Sequence, residues 1–389
     1  MRHNHSNLYV LQDKTLKTIS SPFFFLMKRI PAKIVLEDGS SFDGFSFGKE
    51  VSVAGEVVFN TGMAGYPEGF TDPSYEGQIL VLTYPLIGNY GIPQTKQEYD
   101  LDHHFESSKV HISGLIIQEY SETYSHHEAK KSLGDWLKEN NIPAITGIDT
   151  RALTKRLRSK GVMLGKIIIT DDKEFFDPNQ NNLVKQVSTK KAITYKNKTP
   201  HIALIDCGVK NNIIFSLIKR GATLTRVPWD YDIFTNAQYD GILISNGPGD
   251  PKMCHQTIKT IKAAIKREIP IFGICLGNQL LALAAGANTY KLKYGHRGQN
   301  QPAINLDTKR CYITTQNHGF AVDEKTLPAG WKPWFRNAND KTNEGIRHNA
   351  KPFFGFQAHP ESMPGPNDTS FLFDDFLDVV RKNNEKKAR

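Results

Sequence analysis

The sequence predicts two folded units in tandem: an α+β, mostly-β unit over residues 28–170, then an α/β unit with a doubly wound parallel sheet over 201–389. Three observations carry this reading. Short β-rich runs separated by Gly/Pro turns fill the first stretch. From His201 onward, continuous apolar runs of strand length alternate with helical patterns, as in a parallel sheet covered on both faces. Between the two lies 171–200, with Asp177-Pro178-Asn179-Gln180-Asn181-Asn182 followed by Lys185, Lys190, Lys191, Lys196 and Lys198 and no further acid, which reads as a linker.

Each element has its own signal. In the first unit Ile34-Val35-Leu36 runs into the turn Glu37-Asp38-Gly39-Ser40, and Val57–Phe59, Ile79–Leu82 and Leu115–Ile117 read as further strands. Thr150 to Ser159 reads as a helix, with Leu153 and Leu157 four apart and Gly161 placed to stop it. In the second unit Ile202–Ile205, Thr223–Val227, Ile242–Ile244 and Ile271–Ile274 are strand runs. Asn211–Lys219, Ile258–Ile265 and Gln279–Ala285 are helices between or after them, and Phe354–Gln357 is a late strand. Ligands in such sheets sit at the carboxyl ends of the strands.

Composition narrows the function classes. With 389 residues, 39% hydrophobic and 23% charged, the chain is an ordinary globular one, which excludes wholesale disorder. The formal charge of +9 is carried by the two ends: residues 1–33 hold six basic residues against Asp13, and 381–389 hold five against Glu385. The stretch between is neutral in sum, so no nucleic-acid groove is expected. No run reaches the ~18 apolar residues of a membrane helix. Four cysteines without a CxxC pair fit neither a zinc site nor a disulfide scaffold, so a cytoplasmic location is expected. Residues 1–27 read as a disordered extension, with Met27 as an alternative start that mapping of the native N-terminus decides.

The chemistry-bearing residues fall where strands end. Gly273-Ile274-Cys275-Leu276-Gly277, between a strand and a helix, is the cysteine form of the G-x-S-x-G nucleophile elbow. The helix that follows directs its N–H groups and positive end toward the sulfur, favouring the thiolate. A thiolate attacking an amide needs a proton carrier and a group to orient it. His359-Pro360-Glu361 offers both, because residues two apart in extended backbone face one side. Asn246-Gly247-Pro248-Gly249 can present bare N–H groups to an oxyanion. Gln316-Asn317-His318-Gly319-Phe320 reads as a polar turn suited to a small polar substrate. His103, His104, His111, His126 and His127 lack companion ligands at fixed offsets, and no metal is expected. Neither G-x-x-x-x-G-K-[ST] nor G-x-G-x-x-G occurs, so no nucleotide cradle is legible.

Together, Gly273–Gly277, His359–Glu361 and Gly247–Gly249 resemble the class I (triad) glutamine amidotransferases. Val57–Met63, Thr71–Tyr75, Ile148–Arg151 and Ser245–Pro251 are similar to the small, glutamine-hydrolysing subunit family of carbamoyl phosphate synthetase, and the likeness runs from about Lys28 to the C-terminus. The resemblance implies that Cys275 attacks the glutamine carboxamide to form a glutamyl thioester, that His359 moves the proton and that Glu361 orients His359. It further implies that Gly247 and Leu276 hold the oxyanion, and that Ser74, Gly249, Gln279, Asn317, Gly319 and Phe320 hold the remainder of L-glutamine. Ser74 comes from the first unit, which puts the pocket at the interface. Asn278 departs from the family pattern, where histidine commonly follows the elbow, and altered packing or tuning of the thiol is the expected consequence.

A large synthetase subunit is the implied partner, in a heterodimer or higher oligomer, carrying the ATP, magnesium and bicarbonate chemistry and feeding arginine and pyrimidine synthesis. No cofactor is expected on this chain. Two alternatives use the same motifs: an amidotransferase serving another synthetase, and a catalytically silent regulatory subunit. The first unit argues against the former, and intact Cys275, His359 and Glu361 against the latter. On sequence grounds Glu361→Ala is expected to be milder than loss of the nucleophile or base.

Overall fold

A computed structural model describes residues 29–235 and 238–388. The expected extension over 1–27 lies outside the described residues. In the first unit seven strands close into a barrel: β1 (Ile30–Leu36), β2 (Ser41–Ser46), β3 (Val53–Asn60), β4 (Gln78–Leu82), β5 (Gly114–Ile116), β6 (Ala144–Thr146) and β7 (Met163–Ile168), in the order β1-β7-β3-β4-β5-β6-β2. Strand alternation sorts their side chains. Ile34, Leu36, Val57, Phe59, Ile79 and Val81 form one buried cluster with Ile116, Ile145 and Ile167. Val58, Leu80, Leu82 and Leu115 turn the other way, under Leu133, Trp136 and Leu137 of α1 (Leu133–Glu139). Helix α2 (Thr150–Lys160) adds Leu153 and Leu157 to the first cluster. Asp149 caps its start by accepting from the Ala152 N–H at 2.8 Å, and Gly161, at φ +114°, ends it as the sequence predicts.

The second unit is built on a ten-stranded sheet. Its strands are β8 (Ile193–Tyr195), β9 (Lys198–Asp206), β10 (Ala222–Pro228), β11 (Gly241–Ile244), β12 (Ile271–Ile274), β13 (Asn288–Asn305), β14 (Cys311–Asp323), β15 (Trp331–Asn337), β16 (Asn343–His348) and β17 (Phe353–Phe356). The order is β8-β10-β9-β11-β12-β17-β16-β15-β13-β14, parallel from β10 through β17. Ile202, Leu204, Leu243 and Phe272 bury on one face, against α3 (Asn211–Lys219) and α6 (Leu372–Ala388). Ala203, Ile205, Ile242, Ile244 and Ile271 bury on the other, against α4 (His255–Lys266) and α5 (Leu276–Ala285). Both faces of each strand are therefore apolar, which is why these strands read as continuous runs.

Two expectations change. Part of 171–200 is folded onto the second unit instead of linking: Val184 is buried in its core, and β8 pairs antiparallel with β10. The stretch Gln316–Phe320 is no turn but the middle of β14, paired with β13. Its buried face carries Thr314, Gln316 and His318 where a core strand would carry apolar residues, so the usual periodic signal is missing.

Candidate active site

Cys275 sits at the junction of β12 and α5, with φ 53° and ψ −105°, a backbone conformation that non-glycine residues rarely adopt. The two flanking glycines make the elbow possible. A Cβ on Gly273 would run into the carbonyl of Gly277, and one on Gly277 into the carbonyl of Ile244. Leu276 opens α5, so its N–H has no intrahelical acceptor and is free to serve an anion.

Sheet register delivers the partner. β12 pairs with β17 through Gly273↔Gly355 and Ile274↔Phe356, and the Cys275 N–H donates to Phe356 O at 2.8 Å. The residues just beyond, Gln357 and His359, thus emerge beside the cysteine. His359 Nδ1 lies 2.6 Å from Glu361 Oε1, and its Nε2 is buried with no protein hydrogen-bond partner among the described residues. Burial alone would lower the His359 pKa, but the charges of Glu361 and Cys275, with the hydrogen bond to Glu361, outweigh it and lift the imidazole to about 10. Glu361 is held down to about 2: burial opposes this, and the charges of Lys210 and His359 prevail. The site is therefore a buried chain of alternating charge, with imidazolium, carboxylate and ammonium in sequence.

Lys210, which sequence reasoning missed, anchors that chain. It follows the carboxyl end of β9, the position where a parallel sheet places its functional residues. Its Nζ lies 3.1 Å from Glu361 Oε1 and donates to the carbonyls of Ser362 at 2.7 Å and Met363 at 3.1 Å. Glu106, from the first unit, is the weaker claimant on this ammonium at 3.7 Å. Burial pushes the Glu106 carboxyl up to about 8, against the pull of Lys210, so at neutral pH it is mostly protonated. A raised carboxyl contributes stability that is fully present below its unfolded value of about 4.5 and lost as pH rises through about 8. Thermal melts at pH 5 and pH 8.5 should show the wild type losing more stability than Glu106→Gln across that interval. Equal losses would remove Glu106 as the titrating group.

All eight residues expected to hold substrate line one cavity beside the elbow: Ser74, Gly247, Gly249, Leu276, Gln279, Asn317, Gly319 and Phe320. The first unit reaches it through Asp72-Pro73-Ser74, a short turn in which Asp72 accepts from the Ser74 N–H at 2.9 Å. Asp72 also accepts from Asn317 Nδ2 at 2.9 Å, and Asn246 Nδ2 donates to Ser74 Oγ at 3.0 Å, stitching the two units together at the pocket. Gln279 Nε2 donates to Phe320 O at 2.8 Å and Gln357 Oε1 at 3.2 Å, while Gln357 Nε2 approaches the Cys275 sulfur at 3.6 Å. Asn278 is fully buried and meets Gln357 Oε1 at 3.3 Å, so the departure from the family pattern touches the sulfur through one intervening amide. A second cavity reaches His359, Lys210 and Asn317 from the side of Met63, Gln299 and Pro364.

Among the described residues, two histidine groups bring ligand-type atoms close together: His126, His127 and Glu128 on the surface, and His296, His318 and Glu344 in the interior. The interior group is occupied by protein partners. His296 Nε2 meets Asp340 at 2.8 Å, and His318 meets Phe320 O at 2.8 Å and Gln316 Oε1 at 3.1 Å. It braces β14 behind the pocket.

Comparison with known proteins gives two family matches. Residues 203–379 match glutamine amidotransferase class-I, and 34–167 match the carbamoyl-phosphate synthase small chain, CPSase domain. The chain is 51% identical over 366 residues to the carbamoyl phosphate synthase arginine-specific small chain of Saccharomyces cerevisiae, covering 90% of this chain and 89% of that one. It is 55% identical over 358 residues to multifunctional protein CAD of Squalus acanthias (90% of this chain, 16% of that protein). It is 52% identical over 362 residues to carbamoyl-phosphate synthase [ammonia], mitochondrial, of Homo sapiens (92% and 24%). The chain thus spans a quarter or less of the length of the two longer relatives.

Proposed function

Because this chain belongs to the carbamoyl-phosphate synthase small-chain family, we propose that it hydrolyses L-glutamine and passes the ammonia to a large synthetase subunit that makes carbamoyl phosphate. The observation that carries this reading is the sheet register that sets the Cys275 elbow beside the segment bearing His359 and Glu361, next to a pocket lined by all eight expected substrate residues. The Cys275 thiolate attacks the side-chain carbonyl carbon, and the negative charge moves to the carbonyl oxygen, facing the N–H groups of Gly247 and Leu276. His359 gives its proton to the amide nitrogen, the C–N bond breaks, and ammonia and a glutamyl thioester remain. His359 then takes a proton from water, the resulting hydroxide attacks the thioester carbon, and glutamate departs as the thiolate is restored. Glu361 keeps Nδ1 of His359 engaged, so Nε2 faces the reaction.

The second cavity at His359 offers released ammonia a way out that does not cross the substrate pocket. ATP and magnesium belong, in this reading, to the large subunit, since no phosphate cradle is legible in the sequence. No helix among the described residues is long and apolar enough to cross a membrane. Four unpaired cysteines support a reducing, cytoplasmic setting.

The human relative has ammonia in its name. For this chain the complete cysteine–histidine–glutamate set supports glutamine as the nitrogen source. A glutamine-analogue electrophile is expected to label Cys275 alone among the four cysteines, and added glutamine should protect it. A complex that makes carbamoyl phosphate from ammonia but leaves Cys275 unlabelled would favour the silent-subunit alternative.

A further inference from the structure

Among the described residues Arg297 is a buried cation that forms no ion pair. It is 4% exposed and lines the pocket that holds the eight expected substrate residues. Its Nη1 donates to Tyr294 O at 2.8 Å, while its Nε is buried with no hydrogen-bond partner among the described residues. The carboxylate whose charge acts on it most, Glu56, is already engaged by Lys291 at 2.6 Å, Gln78 at 2.9 Å and Asn179 at 3.1 Å. Burial pushes the Arg297 pKa down, the direction expected of a guanidinium short of partners, yet an arginine stays charged in a protein.

An unpaired charge in the interior is costly, and natural sites keep one where a ligand of opposite sign completes it. The surroundings are shaped for that. Arg297 Nη2 lies only 3.2 Å from where a Cβ on Gly319 would stand, so the glycine in this wall of the pocket leaves room beside that nitrogen. Arg297 shares that cavity with Gly247 and Leu276, whose N–H groups face the reacting carbonyl in this reading, and with Ser74 and Asn317 on the other walls.

We propose that Arg297 is the specificity residue for the α-carboxylate of the amino-acid substrate, donating to it from Nη2, the nitrogen beside Gly319 on the pocket wall. This rests on the glutaminase reading above and adds to it the group that distinguishes free glutamine from a glutamine side chain whose α-carboxyl is blocked. A guanidinium binds a carboxylate through charge-assisted, often paired hydrogen bonds, so its loss falls mainly on substrate binding.

The test compares L-glutamine with L-glutamine α-amide, which is neutral at the α-carboxyl, as substrates of the full chain assembled with its synthetase subunit. The wild type should prefer L-glutamine. Arg297→Met should raise KM for L-glutamine by roughly 10–100-fold with a much smaller change in kcat, and should level the preference between the two compounds. Ammonia-dependent synthesis by the same complex reports that the variant has folded and assembled. Should Arg297→Met fail that control, Arg297→Gln is read in the same way. A wild type indifferent to the α-amide overturns the inference without any variant.

A preference that survives in the variant also overturns it. Both substrates weakened equally would indicate a structural role, and a shifted pH profile of Cys275 alkylation with the preference intact would indicate tuning of the thiol. Absence of glutamine hydrolysis by the wild-type complex, by contrast, overturns the glutaminase reading and the Arg297 assignment together.

Discussion

Cys275→Ser is expected to abolish glutamine-dependent carbamoyl phosphate synthesis, by at least about 10⁴-fold in kcat, while leaving ammonia-dependent synthesis by the assembled complex unchanged. The serine hydroxyl keeps the elbow's size but is a far weaker nucleophile beside His359. The elbow backbone should survive, because its strain is set by the Gly273 and Gly277 approaches and not by the sulfur. His359→Asn should give the same pattern, since the proton then has no carrier. Loss of ammonia-dependent synthesis in either variant would point to a damaged interface with the synthetase subunit and would remove the evidence for chemistry at Cys275. Steady-state rates with each nitrogen source on the same preparation decide.

Lys210→Met is expected to be nearly as damaging and for a different reason. Lys210 is 3% exposed and sits between Glu361 and Glu106. Removing one partner of a buried ion pair leaves an uncompensated charge and costs about 3–5 kcal/mol. Here the stranded charge would be the Glu361 carboxylate, whose pKa Lys210 helps to hold near 2. Without the ammonium, Glu361 shares only His359, the Ser362–Met363 carbonyls lose their donor, and the loop carrying the triad is released from α3. Denaturant unfolding should therefore show a large stability loss, together with a fall in glutaminase kcat. The double variant Lys210→Met/Glu361→Gln should regain much of the stability, because neither charge is then orphaned, without regaining activity. Additive losses in the double variant would mean that the two residues do not act as a pair.

The same geometry raises the expected cost of Glu361→Ala above that of lost orientation alone. The sequence places Glu361 two residues from His359, which predicts a steering role. The structure adds Lys210 on its other side, so its removal also strands a buried ammonium. Nothing in the spacing of residues 210 and 361 announces that pairing, since the two are brought together only by the packing of β9 and the segment after β17.

Legibility followed the physics of each element. Strands β9, β11 and β12 are apolar on both sides because helices cover both sides of the sheet, so the sequence displays them as unbroken runs. The elbow is legible because its turn tolerates only glycine at the two flanking positions. β13 and β14 were not legible as strands. They bury Arg297, Gln316, Asn317 and His318 on both of their faces, where polar side chains serve one another and the pocket, and this erases the alternation that identifies a strand. Segment 171–200 resembles a linker for a related reason: its composition is polar, while the few apolar residues it has, such as Val184, are enough to dock it.

By itself the sequence determined the class of chemistry and displayed the glycine-flanked Cys275 turn and the His359–Glu361 pair. Those depend on local requirements: a backbone turn that needs glycine, strands that need apolar residues on both faces, and a dyad two residues apart. Only the tertiary structure decided what surrounds them. The Lys210–Glu361–His359 charge chain, the bridge from Asp72 to Asn317 and the unpaired Arg297 each join residues far apart in the chain. Charge and hydrogen bonding act through space, and burial sets their strength, so these terms come into being only when packing has brought the groups together and excluded water.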